Sequence, residues 1–280
     1  MAVLKKVRIF GWSMRKLRQP IYGSGLILDV GSGGNPHPFA DVLLEKYVDT
    51  THRYKQITID RPTVLADGTS MPFKSGTFSY SFAFHVLEHL HQPEAFLAEL
   101  ERVSKAGYIE TPNALYERIH PFDVHLLEIM LIDDVLHIRK KNGPLGDDFI
   151  GTLDLLDQDV SWRRFFGNYP RLFHVCYKWR GKIQFKLLNP ADNTDWFKDP
   201  ETLHEVQTTE LADLAEKSLR ERLIGSIRSV RRRTFDLDDL LACPTCHSDF
   251  TRQVDHYVCT GQSCGLRFAA LPVPDFNNPV

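Results

Sequence analysis

Short runs of apolar residues punctuate the first 113 positions of the 280-residue chain. They occupy residues 26–28, the stretch before Asp49, and residues 63–66, 78–84 and 106–113. Such runs are typical of strands that are buried on both faces of a parallel sheet. Between the last two runs, Pro93 stands at a predicted first helical position, and apolar residues follow it at helical spacing. Strands that alternate with a helix predict an α/β fold whose ligands bind at the carboxyl ends of the strands.

The first predicted strand runs into the turn Asp29-Val30-Gly31-Ser32-Gly33-Gly34. Glycines there allow a sharp turn and the close approach of a ligand to the backbone, although a plain tight turn has the same spelling. The third glycine of a dinucleotide-binding pattern would fall on Pro36, which disfavours a nicotinamide cofactor. Asp49 is predicted to lie at the tip of the second strand. Its carboxylate could accept both hydroxyls of a ribose there, or it could simply cap the next turn.

Residues 85–89 spell H-x-x-E-H, a pattern with which some metalloproteases bind zinc. That use requires a helix, so that His85 and His89 share one face. The fourth predicted strand runs up to Phe84, however, and the helix begins only at Pro93. We therefore predict that His85 is a pocket residue at a strand-to-helix junction, and that Glu88 and His89 shape the turn. A zinc hydrolase built on His85, Glu88 and His89 is the hypothesis that this context disfavours.

Five pieces of the sequence together resemble the class I S-adenosylmethionine-dependent methyltransferases. They are "LDVGSGG", "YVD", "LADGTSMPFKSGTF", "HVLEHLHQPEAFLAELERV" and "GYIETPN", and they cover about residues 25–113. The resemblance implies a Rossmann-like sheet that is mostly parallel, with an antiparallel hairpin at its end. Residues 173–188, which look like two strands joined around Arg180-Gly181, match that hairpin. In the first of these strands we interpret Cys176 as a buried apolar residue rather than a nucleophile.

The same resemblance implies roles for individual residues. Gly31 and Gly33 would face the methionine part of the cofactor, Asp49 would hold the ribose, and Asp67 would accept a hydrogen bond from the adenine amino group. The full predicted cofactor-binding set is Asp29, Gly31, Ser32, Gly33, Asp49, Asp67, Gly68 and His85. His85 is also the candidate general base, although a pocket-lining role is equally open. The less favoured candidates for a pocket role are Glu110, His120 and His125.

Four cysteines near the C-terminus follow the spacing C-x2-C-x12-C-x4-C. Two such knuckles suit a closed tetrahedral structural zinc site, and the predicted ligands are Cys243, Cys246, Cys259 and Cys264. Residues 240–274 resemble the small zinc-ribbon proteins that activate RNA and protein methyltransferases, through "LLACPTC" and the "PVPDF" tail. The resemblance implies an intramolecular contact in which the ribbon stabilises the methyltransferase portion or helps the acceptor to dock. We predict a methyltransferase domain over residues 1–235, with a helical linker at about 204–235, and a ribbon domain over residues 236–280.

Charge and composition exclude few classes of function. The net charge of −2 gives no global attraction to nucleic acid, but basic residues crowd the N-terminus and the segment before the cysteines. These residues are Lys5, Lys6, Arg8, Arg15, Lys16, Arg18, Lys217, Arg220, Arg222, Arg228, Arg231, Arg232 and Arg233. We interpret the segment over residues 210–233 as an amphipathic helix with a solvated basic face, although a phosphate-rich acceptor such as RNA is the alternative interpretation.

The chain has no apolar run long enough for a membrane span, and its clustered cysteines indicate a reducing compartment, so we predict a cytoplasmic protein. The leading hypothesis is a methyltransferase whose acceptor is unidentified, with a small molecule favoured over RNA or protein. The alternative is a non-catalytic methyltransferase-like module that binds RNA or a partner protein.

Overall fold

The computed structural model describes residues 15–19, 24–48, 57–144, 158–197 and 233–280. The chain divides into two compact units. The glycine-turn unit comprises Tyr22–Phe82, Ala98–Lys105 and Pro200–Val280, and the His85 unit comprises Met1–Ile21, Ala83–Leu97 and Ala106–Asp199. Among the described residues, no helix is both long enough and apolar enough to cross a membrane.

The described residues contain twelve strands and three α-helices. The strands are β1 (Ile27–Val30), β2 (Val42–Glu45), β3 (Thr63–Leu65), β4 (Tyr80–Phe84), β5 (Ala106–Pro112), β6 (Leu127–Ile132), β7 (Val135–Lys140), β8 (His174–Arg180), β9 (Phe185–Leu187), β10 (Phe250–Arg252), β11 (His256–Cys259) and β12 (Arg267–Ala269). The helices are α1 (Pro93–Val103), α2 (Ala114–Ile119) and α3 (Val160–Asn168). A single 3-10 turn, Leu87–His89, separates β4 from α1.

The central sheet has six strands in the order β3-β2-β1-β4-β5-β8. Strands β1, β2 and β3 pair in parallel, and β8 pairs with β5 in antiparallel register. Every residue of β1 to β5 is buried, as expected for strands that are covered on both faces. The predicted α/β fold with a mostly parallel, Rossmann-like sheet and an antiparallel terminal strand is therefore confirmed.

The second strand of the expected terminal hairpin joins a different sheet. β9 pairs in parallel with β7, and β7 pairs with β6, so that these three strands form a separate sheet. The β6–β7 hairpin was not predicted from the sequence. Its two-residue turn holds Asp133 and Asp134 in the left-handed region, at φ of 51° and 59°. A turn with two left-handed residues matches the twist of a hairpin, and Asp is one of the residues that tolerate it.

The C-terminal residues fold around a small aromatic core. Strands β10, β11 and β12 form an antiparallel sheet, as predicted for a ribbon. Phe276, which lies beyond the last strand, packs with its ring centroid 5.2 Å from that of Phe268 and 5.5 Å from that of Tyr257. All three rings are buried, so apolar packing stabilises the ribbon in addition to any metal.

The tail of the ribbon covers the edge of the parallel sheet. The backbone N–H of Leu65 in β3 donates to the carbonyl of Pro274 (2.8 Å), and the N–H of Phe276 donates to the carbonyl of Leu65 (2.7 Å). Leu65 and Asp275 thus form a parallel bridge. A sheet edge otherwise presents unpaired backbone groups, and the "PVPDF" tail occupies them here. Both partners belong to the glycine-turn unit.

Candidate functional site

The glycine turn follows β1 directly, at the carboxyl end of the strand. Gly31 and Gly33 have φ of 65° and 57°, a conformation that residues with a Cβ adopt at a cost. The N–H of Gly31 donates to the carbonyl of Leu44, which anchors the turn to β2. A Cβ placed on Gly33 would meet no atom of the described residues within 4 Å, so these residues leave open space beside this backbone. The geometry fits the close approach of a ligand to the main chain.

Glu45, which the sequence interpretation passed over, holds this turn in place. Its Oε1 atom accepts hydrogen bonds from the hydroxyl of Ser32 (2.6 Å) and from the N–H of Gly33 (2.5 Å). Glu45 is the last residue of β2 and is only 3% exposed. Asp29 is also buried, and it accepts a 2.6 Å hydrogen bond from the N–H of His37. The available signal for Glu45 was its position as an acidic residue at the end of an apolar run.

Two of the predicted cofactor residues, Asp49 and Asp67, come after β2 and β3 in the chain. β2 ends at Glu45, four residues before the strand tip that was predicted at Asp49, and Asp49 itself lies outside the described residues. Asp67 follows β3, where its Oδ1 accepts hydrogen bonds from the N–H and hydroxyl of Thr69, and its Oδ2 lies 2.8 Å from Nζ of Lys46. Partial burial opposes ionisation, but the hydrogen bonds from Lys46 and Thr69 outweigh it and lower the pKa of Asp67. Gly68 lies beside it and is half-buried.

The strand-to-helix junction predicted around His85 is present. β4 ends at Phe84, and His85 follows with φ of 54°, a strained value for a residue that is not glycine. Its Nδ1 lies 3.3 Å from a carboxylate oxygen of Glu88, and its Nε2 lies 3.7 Å from one of Glu110. Burial lowers the pKa of His85, but these two carboxylates outweigh it and raise the pKa to about 9. A protonated imidazole donates hydrogen bonds and does not accept a proton.

Glu110 is the centre of a buried charge network. Its carboxylate is fully buried and receives hydrogen bonds from the guanidinium of Arg15 (2.6 and 2.8 Å) and from the hydroxyl of Tyr108 (2.9 Å). Burial raises the pKa of Glu110, but contact with His85 and Arg15 lowers it to about 2. The neighbouring Lys16 places its ammonium group 4.5 Å from the centroid of the Phe84 ring. Two of the N-terminal basic residues are thus part of the packed structure.

Most of the other basic residues that the sequence singled out lie outside the described residues. These include Lys5, Lys6, Arg8 and the helix predicted over residues 210–233, apart from Arg233. Arg233 donates a hydrogen bond to the carbonyl of Ser24. The proposal of a basic face on that segment therefore stays a prediction.

A cluster of aromatic side chains from residues 114–174 reaches His85 through His174, within one unit. The rings of His85 and His174 lie 5.7 Å apart, and Tyr116 packs against both His174 (5.9 Å) and Phe166 (5.0 Å). Nearby on β8, Cys176 is only partly buried, and not fully buried as the sequence predicted. Its burial still raises the pKa of the thiol, which disfavours the nucleophilic thiolate. His120 stacks on Phe122, at a centroid distance of 4.8 Å. Tyr116, Phe166 and His174 thus form a largely apolar wall that meets the exposed, charged imidazole of His85 at His174.

The four C-terminal cysteines converge as their spacing predicts. Each contributes a sulfur atom, and all four atoms lie within 4.8 Å of one another. The Sγ atoms of Cys243 and Cys264 are 3.7 Å apart, and those of Cys246 and Cys259 are 3.3 Å apart. Four thiol sulfurs at these distances fit the donor set of a tetrahedral structural zinc ion. Gly261 lies close beside them, and a Cβ there would crowd the Cys246 sulfur at 3.0 Å.

Comparison with known proteins gives one match to a family. Residues 28–109 match the family model described as a methyltransferase domain, so that this part of the chain carries the sequence pattern of that domain. The matched segment contains β1 to β4, the glycine turn, Asp67 and His85. No curated protein matches the chain significantly.

Several solved structures resemble parts of the chain at low sequence identity. A Bacillus halodurans protein assigned as a methyltransferase is 21% identical over 36% of this chain and 50% of its own, with a TM-score of 0.29. A Haloferax volcanii structure, the complex between the Trm112 methyltransferase activator and its assigned methyltransferase, gives 11% identity over 65% of this chain and 93% of the matched chain, with a TM-score of 0.39. An S-adenosylmethionine-dependent methyltransferase from Mesorhizobium loti is 12% identical over 46% of this chain and 64% of its own, with a TM-score of 0.31. This chain thus spans half of the Bacillus halodurans protein, and at these TM-scores neither activity nor partner is assigned from the likenesses.

Proposed function

We propose that the protein transfers a methyl group from S-adenosylmethionine to an acceptor. The observation that carries the proposal is the left-handed glycine turn, which is open to a ligand at Gly33 and held by Glu45 at the carboxyl end of β1. That edge of a parallel sheet is where Rossmann-like folds bind nucleotide cofactors. The match of residues 28–109 to a methyltransferase domain supports the same assignment.

Each predicted cofactor residue has a role in this proposal. The backbone at Gly31 and Gly33 contacts the methionine part, while Asp29 and Ser32 maintain the turn through their hydrogen bonds. Asp49 accepts the ribose hydroxyls. Asp67, whose lowered pKa keeps it a carboxylate, accepts from the adenine amino group. Gly68 lets the adenine approach the chain.

Methyl transfer from S-adenosylmethionine requires few catalytic groups from the protein. When bound, the cofactor supplies a methyl group that its sulfonium already activates, so the protein aligns an acceptor atom in line with it and excludes water. In this proposal His85 lines the pocket. Its pKa of about 9 keeps it protonated at neutral pH, so it would act as a base for an acceptor that must lose a proton only after releasing its own proton. Tyr116, Phe166 and His174 form the apolar wall against which a small acceptor packs.

We further propose that the cysteines bind a structural zinc ion and that residues 236–280 form a ribbon domain that stabilises residues 1–235. The pairing of Leu65 with Asp275 supports this role, because the ribbon tail completes the exposed edge of β3. The side chain of Asn277 adds a 2.8 Å hydrogen bond to the carbonyl of Lys46, whose ammonium group pairs with Asp67. Unchanged solubility, cofactor binding and activity after deletion of residues 236–280 would contradict the stabilising role.

Calorimetric titration with S-adenosylmethionine and with its demethylated product tests the cofactor assignment. The wild type should bind both, and Asp49→Ala and Asp67→Ala should each bind at least about tenfold more weakly, the effect of losing about 1.4 kcal/mol of hydrogen bonding. Asp195→Ala is the matched control, because Asp195 is an exposed aspartate in the other unit. Absence of binding by the wild type, or unchanged binding by both variants, would refute the proposal.

A radioactive methyl group on the cofactor can identify the class of the acceptor. Tritiated-methyl transfer from the cofactor into fractionated cell extract reports whether the labelled product is a small molecule, a nucleic acid or a protein. We expect label in the small-molecule fraction. Salt-sensitive nucleic-acid binding without any transfer would instead support the non-catalytic module. The cytoplasmic location stays a prediction from the cysteine content.

A further inference from the structure

The structure points to a second metal site, formed by Glu88, His89 and His125. We propose that these three side chains bind one divalent transition-metal ion at a site separate from the four cysteines. One potential ligand atom from each residue lies within 4.8 Å of the other two. All three residues belong to the His85 unit, and only the first two fall within the H-x-x-E-H pattern.

The imidazoles of His89 and His125 are each held in orientation by a hydrogen-bond acceptor at Nδ1. Nδ1 of His125 lies 2.7 Å from a carboxylate oxygen of Glu117, and Nδ1 of His89 lies 3.0 Å from the carbonyl of Val124. An acceptor at Nδ1 fixes the tautomer that carries the proton there and leaves the Nε2 lone pair for a metal. Histidines that bind metals are held in this way by carboxylates and backbone carbonyls.

The Glu117 carboxylate behind His125 is itself held firmly. Its other oxygen, Oε1, accepts a 2.7 Å hydrogen bond from Nζ of Lys141 and a 3.1 Å hydrogen bond from the N–H of Phe122. The side chains of Glu117, His125 and Lys141 are all buried. The ring of His125 therefore has a single orientation, which is the preorganisation that a metal ligand needs.

The third ligand, Glu88, has a buried carboxylate oxygen that accepts no hydrogen bond from the described residues. Glu88 is only 1% exposed, and its Oε2 accepts a 2.8 Å hydrogen bond from the hydroxyl of Thr111. Its Oε1 is buried and has no hydrogen-bond partner among the described residues. Nδ1 of His85 lies 3.3 Å from this oxygen and forms an ion pair with it, but without hydrogen-bond geometry. A buried carboxylate oxygen that lacks a donor is costly, and a cation would satisfy it.

Two imidazoles and one carboxylate identify the class of ion. This donor set suits zinc or ferrous iron, and three protein ligands leave further coordination positions open. His89 is exposed, whereas Glu88 and His125 are buried, so an ion can enter from the His89 side. The ion would join the turn after β4 to the segment before β6, where the N–H of Leu126 already donates to the carbonyl of Glu88 (2.7 Å).

Zinc content of the full-length protein tests the site without reference to methyl transfer. After saturation with zinc and gel filtration, the wild type should retain two zinc ions per chain. His89→Ala should retain one, and because His89 is exposed, this variant is expected to fold. His125→Ala should behave in the same way. His91→Ala is the matched control and should keep two, because the Nδ1 of His91 pairs with Thr194 and the residue lies outside the cluster.

Further variants separate this site from the two other zinc hypotheses. His85→Ala should keep two zinc ions, whereas a site built on His85, Glu88 and His89 would lose one. Cys246→Ser should lose the ribbon zinc alone. Cobalt added to protein whose ribbon holds zinc should give the weak visible absorption of nitrogen and oxygen ligands, without thiolate charge transfer. A wild type that retains one zinc ion, or a His89→Ala variant that retains two, would overturn the proposal.

Discussion

Glu45 and Gly33 are joined by a 2.5 Å hydrogen bond between the Glu45 carboxylate and the Gly33 backbone N–H. The bond links the end of β2 to the turn after β1. We expect Glu45→Ala to weaken cofactor binding about tenfold, because the loss of hydrogen bonds to a charged group costs about 1.5–3 kcal/mol and frees the turn. Calorimetry measures the effect. Glu94→Ala, at an exposed position of α1, serves as the control and should bind normally.

Alanine substitutions at two glycines can distinguish the effect of backbone strain from the effect of lost contact with the cofactor. Gly33 and Gly76 both have positive φ, and a Cβ on either would meet no atom within 4 Å in the part of the chain that the structure describes. Alanine at each position should therefore cost a similar 1–2 kcal/mol, roughly, in the free energy of unfolding. Only Gly33→Ala should also weaken cofactor binding. Equal affinities for the two variants would argue that the turn does not contact the cofactor.

The ion pair of Arg15 with Glu110 should make stability depend on pH. The pKa of Glu110 is lowered to about 2 in the folded protein, so its contribution is fully present above the ordinary carboxyl pKa of about 4.5 and is lost as the pH falls towards 2. The shift corresponds to at most about 3 kcal/mol. Urea unfolding should show that Glu110→Gln is destabilised relative to the wild type at pH 6, and that the difference narrows at pH 3. A difference that does not change between these pH values would contradict this account.

Loss of zinc from the four cysteines should destabilise the ribbon first. We expect a chelator, or Cys259→Ser, to lower the melting temperature, because a small domain depends on its metal for folding energy. Gly261→Ala should lower zinc affinity as well, since its Cβ would crowd the sulfur of Cys246. Gly265→Ala provides the control for crowding, because a Cβ on Gly265 would meet no atom of the described residues within 4 Å.

The ribbon tail should protect the edge of β3 from exchange with solvent. Phe276 is buried against the aromatic core of the ribbon, so Phe276→Ala should cost about 3–5 kcal/mol locally and release the tail. The amide of Leu65, which donates to Pro274, should then exchange faster with deuterium. The amide of Leu43, inside the sheet, reports on global unfolding and should change much less. Protection of Leu65 that survives the substitution would contradict the covering role.

Local signals in the sequence were sufficient for several elements. The apolar runs predicted β1, β3, β4 and β5 close to their observed bounds, because strands buried on both faces must be continuously apolar. Pro93 marked the start of α1, since proline lacks the N–H that a first helical residue does not need. The cysteine spacing predicted the sulfur cluster, because the knuckles are local structures.

Contacts between segments far apart in the chain could be found only in three dimensions. The sequence alone did not show that Glu45 would accept hydrogen bonds from the glycine turn, that β9 would pair with β7, or that Asp275 would pair with Leu65. Nor did it show that His125 would meet Glu88 and His89 in place of His85. The sequence by itself determined β1, β3, β4 and β5, the first helix and the cysteine knuckles, because apolar periodicity, proline and cysteine act on near neighbours. Tertiary structure decided which acids, histidines and sheet edges come together, because side-chain partners are set by how the strands are ordered and packed.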